Sequence, residues 1–290
     1  MELMEVILAS KELNVKLDGF RENGIRIGFI PTMGALHGGH ASLMYEAKKR
    51  CDQVVLSIFI NPTQFNDSVD FDNYPSSHEA DLALAESCGV DVVFMPSVGD
   101  LYQGEPRADR VNYGLLTDGF EAAARPGHFD GVVAVVRRLF AAVKPEMAFF
   151  GEKDLQQLAV VRKLTENEFT DLQVIACPLI RDLDGLALSS RNARLGGKDR
   201  AQALAIPRSI KQIQRAVLDR LSIDQALNQA KTELEFQEGV KLEYIDVIDG
   251  RSFETCRSGD HGIPYVLIAA EVGGVRLIDN IPLDPNRRLT

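Results

Sequence analysis

Two histidines three residues apart, His37 and His40, close the string PTMGALHGGH that begins at Pro31. Residues at that spacing share one face of a helix, and a helical pattern over Ala41–Arg50 puts both imidazoles where the helix starts. The unpaired N–H groups and positive dipole end of a helix start favour an anion. Glycine lets the backbone come close to a phosphate. Two imidazoles in that place can donate hydrogen bonds to a triphosphate as charge develops at its α-phosphorus. In isolation an H-x-x-H pair reads more simply as two polar side chains capping a helix. Here an apolar run, Ile25–Pro31, precedes it and a helix follows, and the strand–glycine loop–helix context points to phosphate chemistry.

Three further strings have chemistry-bearing side chains after apolar runs. In FINPTQF (Phe59–Phe65), Asn61-Pro62 breaks the run into a loop, and the Gln64 amide can offer both donor and acceptor to a hydroxyl or carboxylate. Taken alone, a turn with a satisfied glutamine explains it better. In FFGEKDLQQ (Phe149–Gln157), Gly151 allows close approach, Lys153 can reach phosphate oxygens as a point charge, Asp154 can cap a helix, and Gln157 lies three residues on. Taken alone, a capped helix with a solvated lysine explains the string better. In LSSRN (Leu188–Asn192), two hydroxyls and a guanidinium suit anionic oxygens, or form a polar linker.

The elements that must position these strings follow from periodicity. Ile25–Pro31, Gln53–Ile60, Val90–Met95, Met147–Phe150 and Gln173–Ile180 are short and almost continuously apolar, as strands covered on both faces are. Helical patterns lie between them: Ala80–Cys88 behind a Ser76-x-x-Glu79 capping box, Gly131–Val143, and Leu155–Phe169. That alternation predicts an α/β, Rossmann-like parallel sheet with helices on both faces. Further on, Lys198–Leu221 and Ser222–Gln237 read as two helices, the second with a Ser222/Gln225 capping box. Leu242–Ile248, Tyr265–Ala270 and Val275–Asn280 read as strands separated by turns. This predicts a smaller C-terminal α+β domain, with the boundary near Arg181–Gly185: residues 1–183 and 184–290. In an open parallel sheet, ligands gather beyond the carboxyl ends of the strands.

The 290 residues suffice for two domains, and 45% hydrophobic with 26% charged residues is ordinary for a globular chain. A net charge of −10 argues against bulk attraction to nucleic acid or an anionic membrane. A pocket for an anionic substrate must therefore be built locally. Cys51, Cys88, Cys177 and Cys256 are widely separated, without metal-ligand spacing, and read as free thiols in a reducing cytosol. With no long apolar segment and no signal-peptide pattern, the chain is expected to be cytoplasmic.

H-x-G-H is the signature of the HIGH-type nucleotidyltransferase superfamily, and PTMGALHGGH resembles the pantothenate synthetase (pantoate–beta-alanine ligase) family within it. NPTQF, GEKDLQQ and LSSRN are similar to that family's other motifs, in the same order, and the likeness runs from Ile27 to the closing LIDN, Leu277–Asn280. One departure is Gly38 beside the expected Gly39. The resemblance implies His37, His40, Lys153 and Arg191 as catalytic groups. It implies an ATP site made of Met33, Gly34, Ala35, Leu36, His37, Gly38, Gly39, His40, Gly151, Glu152, Lys153, Asp154, Ile180, Leu188, Ser189, Ser190 and Arg191. Gln64 and Gln157 match pantoate or beta-alanine ligands, and Asp81 aligns with an acid linked to Mg²⁺, although a helix-surface carboxylate explains it equally well. RPGHFDG (Arg125–Gly131) resembles a motif near the substrate pocket. Its Pro–Gly character predicts a mobile loop, and no chemistry is assigned to His128.

The reaction so implied has two steps. Pantoate attacks the α-phosphorus of ATP to give pantoyl adenylate and pyrophosphate; beta-alanine then attacks the acyl carbon and releases AMP and pantothenate. A carboxylate is a poor acyl donor, and adenylation supplies a leaving group, so positioning and charge neutralisation carry the catalysis. The resemblance further implies a homodimer, and the acidic balance of the chain leads us to expect no nucleic-acid or membrane partner. A nucleotidyltransferase acting on a phosphorylated acceptor and a nucleotide-binding sensor without turnover remain alternatives; a truncated class I aminoacyl-tRNA synthetase fits less well with so short and acidic a chain.

Overall fold

The computed structural model describes all of the chain except residues 1–2, 67–70, 72, 73, 76, 258–261, 287, 288 and 290. Ser76 of the expected capping box thus lies outside the described residues. Contacts group the chain into two units, one of residues 1–151 with 160–177, the other of residues 152–159 with 178–290.

The first unit is a six-stranded parallel sheet with order β1-β4-β3-β2-β5-β6. Its strands are β1 (Glu5–Ile7), β2 (Ile27–Thr32), β3 (Gln53–Ile58), β4 (Val92–Phe94), β5 (Met147–Gly151) and β6 (Gln173–Cys177). Its helices are α1 (Ser10–Glu22), α2 (Gly38–Arg50), α3 (His78–Ser87), the short α4 (Val98–Tyr102), α5 (Leu115–Asp118) and α6 (Glu121–Ala124), then α7 (His128–Val143) and α8 (Leu155–Glu168), whose first residues belong to the second unit. The five expected strands are all present. The sixth, β1, pairs by only three residues with β4 at the sheet edge, too short a stretch for a periodic signal. Apolar side chains on both faces make the strands stable only when covered: Phe29, Ile30, Val54, Val55, Val93 and Phe149 are all fully buried.

The strand order changes direction between β2 and β5, which pair through Gly28↔Met147 and Phe29↔Ala148. Such a switch point opens a crevice beyond the carboxyl ends of its strands. β2 leads into the Met33–His40 loop and β5 into Glu152–Asp154.

The second unit is a three-stranded antiparallel sheet, β7 (Val240–Asp249), β8 (Pro264–Val272) and β9 (Val275–Pro282) in that order, with helices α9 (Gly197–Ala203), α10 (Ala205–Leu218) and α11 (Ile223–Glu235). Ile206, Ile210, Ile213, Leu227, Val247, Val266, Ile268 and Val275 form one core. The single helix expected over Lys198–Leu221 is two. Pro207 lacks the N–H that a continuous helix would need, and proline is tolerated only in a first turn. The chain therefore restarts at Ala205. The capping box at α11 is present: Gln225 N–H donates to Ser222 Oγ (3.2 Å) and Ser222 N–H to Gln225 Oε1 (3.3 Å).

Candidate active site

In the first unit, α2 starts three residues earlier than its apolar pattern suggests, because the two histidines cap it. His37 is the N-cap, and its Nδ1 accepts from Gly39 N–H at 3.1 Å; His40 Nδ1 accepts from His37 N–H at 3.2 Å. The rings lie 4.2 Å apart between centroids. An imidazole whose Nδ1 accepts a hydrogen bond carries its proton, when neutral, on Nε2. Capping thus fixes each ring as an Nε2–H donor, and the helix-capping and chemical readings of the pair are the same geometry.

The loop before α2 is tied internally. Gly34 N–H donates to Thr32 Oγ1 (3.2 Å), Ala35 N–H to Asp81 Oδ2 (3.0 Å) and Leu36 N–H to Asp81 Oδ1 (2.7 Å). Gly34 and Ala35 both have positive φ, +81° and +49°, which aims successive N–H groups at one carboxylate. A side chain at position 34 would place its Cβ 2.9 Å from Asp81 Oδ2. Asp81, on α3, is only 2% exposed. What the carboxylate does here is hold the loop, a role that the resemblance to a magnesium-linked acid did not suggest. A signal was nonetheless present: Asp81 shares a helix face with Ala85 and Cys88, both buried, and a buried acid needs donors.

The 61–64 turn forms a second network in this unit. Asn61 is fully buried. Its Nδ2 donates to Gln64 Oε1 (3.1 Å) and Gly131 O (3.0 Å); its Oδ1 accepts from Tyr102 Oη (2.7 Å). Burial pushes the Tyr102 phenol up, against the pull of Thr63, Arg138 and Asn61, so Tyr102 remains a donor. The bond from Asn61 fixes the Gln64 amide with its Nε2 toward Met33 Sδ, at 2.8 Å. Gly131 permits this close approach: a Cβ there would sit 2.3 Å from Thr63 O. His128, expected in a mobile loop, instead begins α7 and is buried, its Nδ1 2.8 Å from Gln64 O. The Pro–Gly pair ends one short helix and starts a long one.

In the second unit, Glu152–Asp154 form a 3-10 turn into α8, with Glu152 buried and the Lys153 side chain 19% exposed and 3.3 Å from Asp154. Gln157 is half-buried in the first turn of α8. Ile180 and Leu188 are joined by Leu188 N–H to Ile180 O (3.0 Å). Ser189 caps the 3-10 helix Ser190–Arg194, its Oγ accepting from Arg191 N–H (3.3 Å). Asn192 Nδ2 donates to Ala187 O (2.9 Å), and Asn192 Oδ1 is buried without a hydrogen-bond partner among the described residues. The expected site residues thus form local sets, the 33–40 loop with Asp81, the Gln64 turn and Gly151 in one unit, the 152–157 and 188–192 segments in the other.

The cysteines are free, and Cys51, Cys88 and Cys177 are buried. Burial pushes the Cys51 thiol up to about 11, far from a nucleophile at neutral pH. Among the described residues no three His, Cys, Asp or Glu side chains form a metal-holding group, and no helix is long and apolar enough to cross a membrane.

Comparison with known proteins agrees with this arrangement. A family model described as pantoate-beta-alanine ligase matches residues 5–282. The chain is 44% identical to the pantothenate synthetase of Corynebacterium efficiens over 289 residues, 97% of this chain and all of that one. It is 41% identical to that of Bacteroides fragilis over 280 residues, 96% and 98% of the two chains. Among solved structures, the pantothenate synthetase of Thermus thermophilus superposes with a TM-score of 0.91 at 35% identity, covering 97% of this chain and 100% of that one. A pantoate-beta-alanine ligase from Francisella tularensis, solved with beta-gamma ATP and beta-alanine, gives 0.81 at 33% identity, covering 98% and 100%. With a doubly wound sheet, a histidine-capped helix after its central strand and a match over nearly the whole length, the chain belongs to the pantoate-beta-alanine ligase family.

Proposed function

We propose that this ligase condenses pantoate with beta-alanine through a pantoyl adenylate, ATP being split to AMP and pyrophosphate, with the charge work done by side chains rather than by a main-chain cradle. One observation carries the second half of that statement. The N–H groups of Gly34, Ala35, Leu36, His37 and Gly39 are all given to partners within the loop or to Asp81. A glycine-rich loop that binds phosphate through its backbone would keep those donors for the ligand. Here they preorganise the loop, and the Nε2–H groups of His37 and His40 become its donors to the nucleotide. Donors fixed before the reaction cost no reorganisation during it.

Lys153 and Arg191 supply the positive charge, with Gly151, Glu152, Asp154, Ile180, Leu188, Ser189 and Ser190 completing the ATP set together with Met33–His40. Gln64 takes pantoate: Met33 sulfur is a weak acceptor, readily exchanged by Gln64 Nε2–H for a substrate oxygen, while Asn61 keeps the amide turned. Gln157 is the second amide for the acid substrates. The pantoate carboxylate is the nucleophile in the first half-reaction and the beta-alanine amine in the second, so no cysteine or serine nucleophile is needed. The C-terminal part serves as a lid that keeps water from the adenylate.

Mg²⁺ enters this reading with the nucleotide. Asp81 does not fit a direct ligand, because its oxygens hold Ala35 and Leu36 and it is all but inaccessible. A Mg²⁺ ion held chiefly by phosphate oxygens and water would supply neutralisation of polyphosphate charge. The reading further includes a homodimer and a cytoplasmic location.

The test is pantoate-dependent exchange of labelled pyrophosphate into ATP without beta-alanine, followed by AMP release when beta-alanine is added. Both signals are expected. Exchange that ignores pantoate would favour a transferase acting on another acceptor, and absence of both signals would favour a nucleotide sensor.

A further inference from the structure

The residue that anchors the lysine motif lies at the far end of the chain. Asn280, near the end of β9, is 4% exposed. Its Nδ2 donates to two consecutive carbonyls, Glu152 O at 2.8 Å and Lys153 O at 3.0 Å. Asn280 is held in turn. Its carbonyl accepts from Arg181 Nη2 (3.1 Å), and its N–H donates to Asp279 Oδ1 (2.7 Å). Arg181 grips the buried Asp279 with two bonds, Nη1 to Oδ2 at 2.7 Å and Nη2 to Oδ1 at 2.9 Å, and also donates to Gly185 O (3.1 Å). All these groups belong to the second unit.

Two bonds onto successive carbonyls fix the peptide planes on both sides of Lys153 Cα. A lysine side chain has four rotatable bonds and loses about 2 kcal/mol of rotamer freedom when ordered, so a fold cannot hold the ammonium cheaply; it can hold the root from which the side chain swings. An asparagine suits this place because one nitrogen bears both hydrogens. An aspartate would set carboxylate oxygens against two carbonyl oxygens. Sequence separation hides the link, since Lys153 and Asn280 are 127 positions apart.

We propose that Asn280 is a positioning residue for adenylation, acting through the main chain of Glu152 and Lys153 to set where the Lys153 ammonium meets the polyphosphate. The inference rests on the reading of Lys153 given under Proposed function. The Arg181–Asp279 pair is the brace that keeps Asn280 from turning.

The test is a double-variant cycle on the full chain, reading pantoate-dependent pyrophosphate exchange. Asn280→Asp is expected to lower kcat of exchange by roughly 10- to 100-fold, the scale of a misplacement near 1 Å, while the KM for beta-alanine in the full reaction stays within about twofold. In a Lys153→Ala background the same change should cost no more than about twofold, because residues that act as a unit are not additive. Thermal unfolding is followed throughout. If Asn280→Asp does not fold, Asn280→Ala, which removes the donors without adding charge, decides by the same cycle. Losses that multiply in the double variant, with Lys153→Ala impaired on its own, would overturn the role of Asn280 and leave that of Lys153 standing. Normal exchange by Lys153→Ala alone would overturn the reading of the lysine and this inference with it.

Discussion

The Met33–His40 loop and the Glu152–Gln157 segment follow adjacent strands of one sheet and both run into a helix, yet they are held in opposite ways. In the first, N–H donors are tied down by a carboxylate, Asp81. In the second, carbonyl acceptors are tied down by an amide, Asn280. The first arrangement yields a stiff loop whose histidines are oriented by their own capping bonds. The second yields a pinned backbone bearing a long cation, whose ammonium lies 3.3 Å from Asp154. On the proposed reading the two kinds of hold suit two tasks: rigid donors need a fixed loop, and a long cation needs a fixed root.

Removing the long cation should produce the largest effect and bears hardest on the contrast. Lys153→Ala is expected to lose about 10²–10³-fold in pantoate-dependent pyrophosphate exchange, about 2–4 kcal/mol, as loss of one preorganised donor does. Conversion of supplied pantoyl adenylate by beta-alanine should be much less affected, because pyrophosphate has already left. Equal losses in both half-reactions would mean that the lysine serves the fold and not the triphosphate.

Taking away the anchor of the stiff loop comes next. Asp81→Asn replaces one acceptor by a donor that opposes a backbone N–H, leaving a buried group unsatisfied at about 1–3 kcal/mol. A lower thermal midpoint and a raised KM for ATP are expected. The concentration of Mg²⁺ that half-activates the enzyme should stay where it is. A shift in that concentration, with the KM for ATP unmoved, would return Asp81 to the metal.

Gly34→Ala attacks the same loop through its backbone. The residue stands at φ +81°, a conformation that costs an L-residue about 1–2 kcal/mol, and its new Cβ would press on Asp81 Oδ2 at 2.9 Å. The expected result is destabilisation of that order in denaturant unfolding, with the midpoint lowered and the slope unchanged.

These two anchors mark the limit of what the amino-acid string makes legible. The strands β2 to β9 follow from apolar runs, and the four motifs from glycine, histidine and lysine beside those runs. β1 is missed because three residues have no period, and the break at Leu204 because Pro207 sits inside an otherwise unbroken helical pattern. Asp81 and Asn280 bind main-chain atoms of residues 45 or more positions away, so no local spacing names their partners. What the string does show is parity. Asp81 falls on the buried stripe of α3 with Ala85 and Cys88, and Asp279 falls on the inward side of β9 with Val275 and Leu277. A charged residue on an apolar face is a statement that donors must meet it there, even when it cannot say which.

The smallest effect tests whether the stiff loop is stiff because of Asp81. Ala35 has φ +49°, so it carries the same left-handed cost as any L-residue, about 1–2 kcal/mol. Glycine would remove that cost but give the unfolded chain more freedom, offsetting about 0.5–1 kcal/mol. Ala35→Gly is therefore expected to stabilise the protein by several tenths up to about 1 kcal/mol. The gain exists only while Asp81 keeps residue 35 in that conformation. With Asp81→Asn the loop can relax to negative φ, where alanine is the better residue, and the same substitution should then be neutral or destabilising. A gain of equal size in both backgrounds would show that β2 and α2 impose the conformation by themselves. The two regions would then differ less than their hydrogen bonds suggest, since the first would need no anchor from another element while the second still leaned on Asn280.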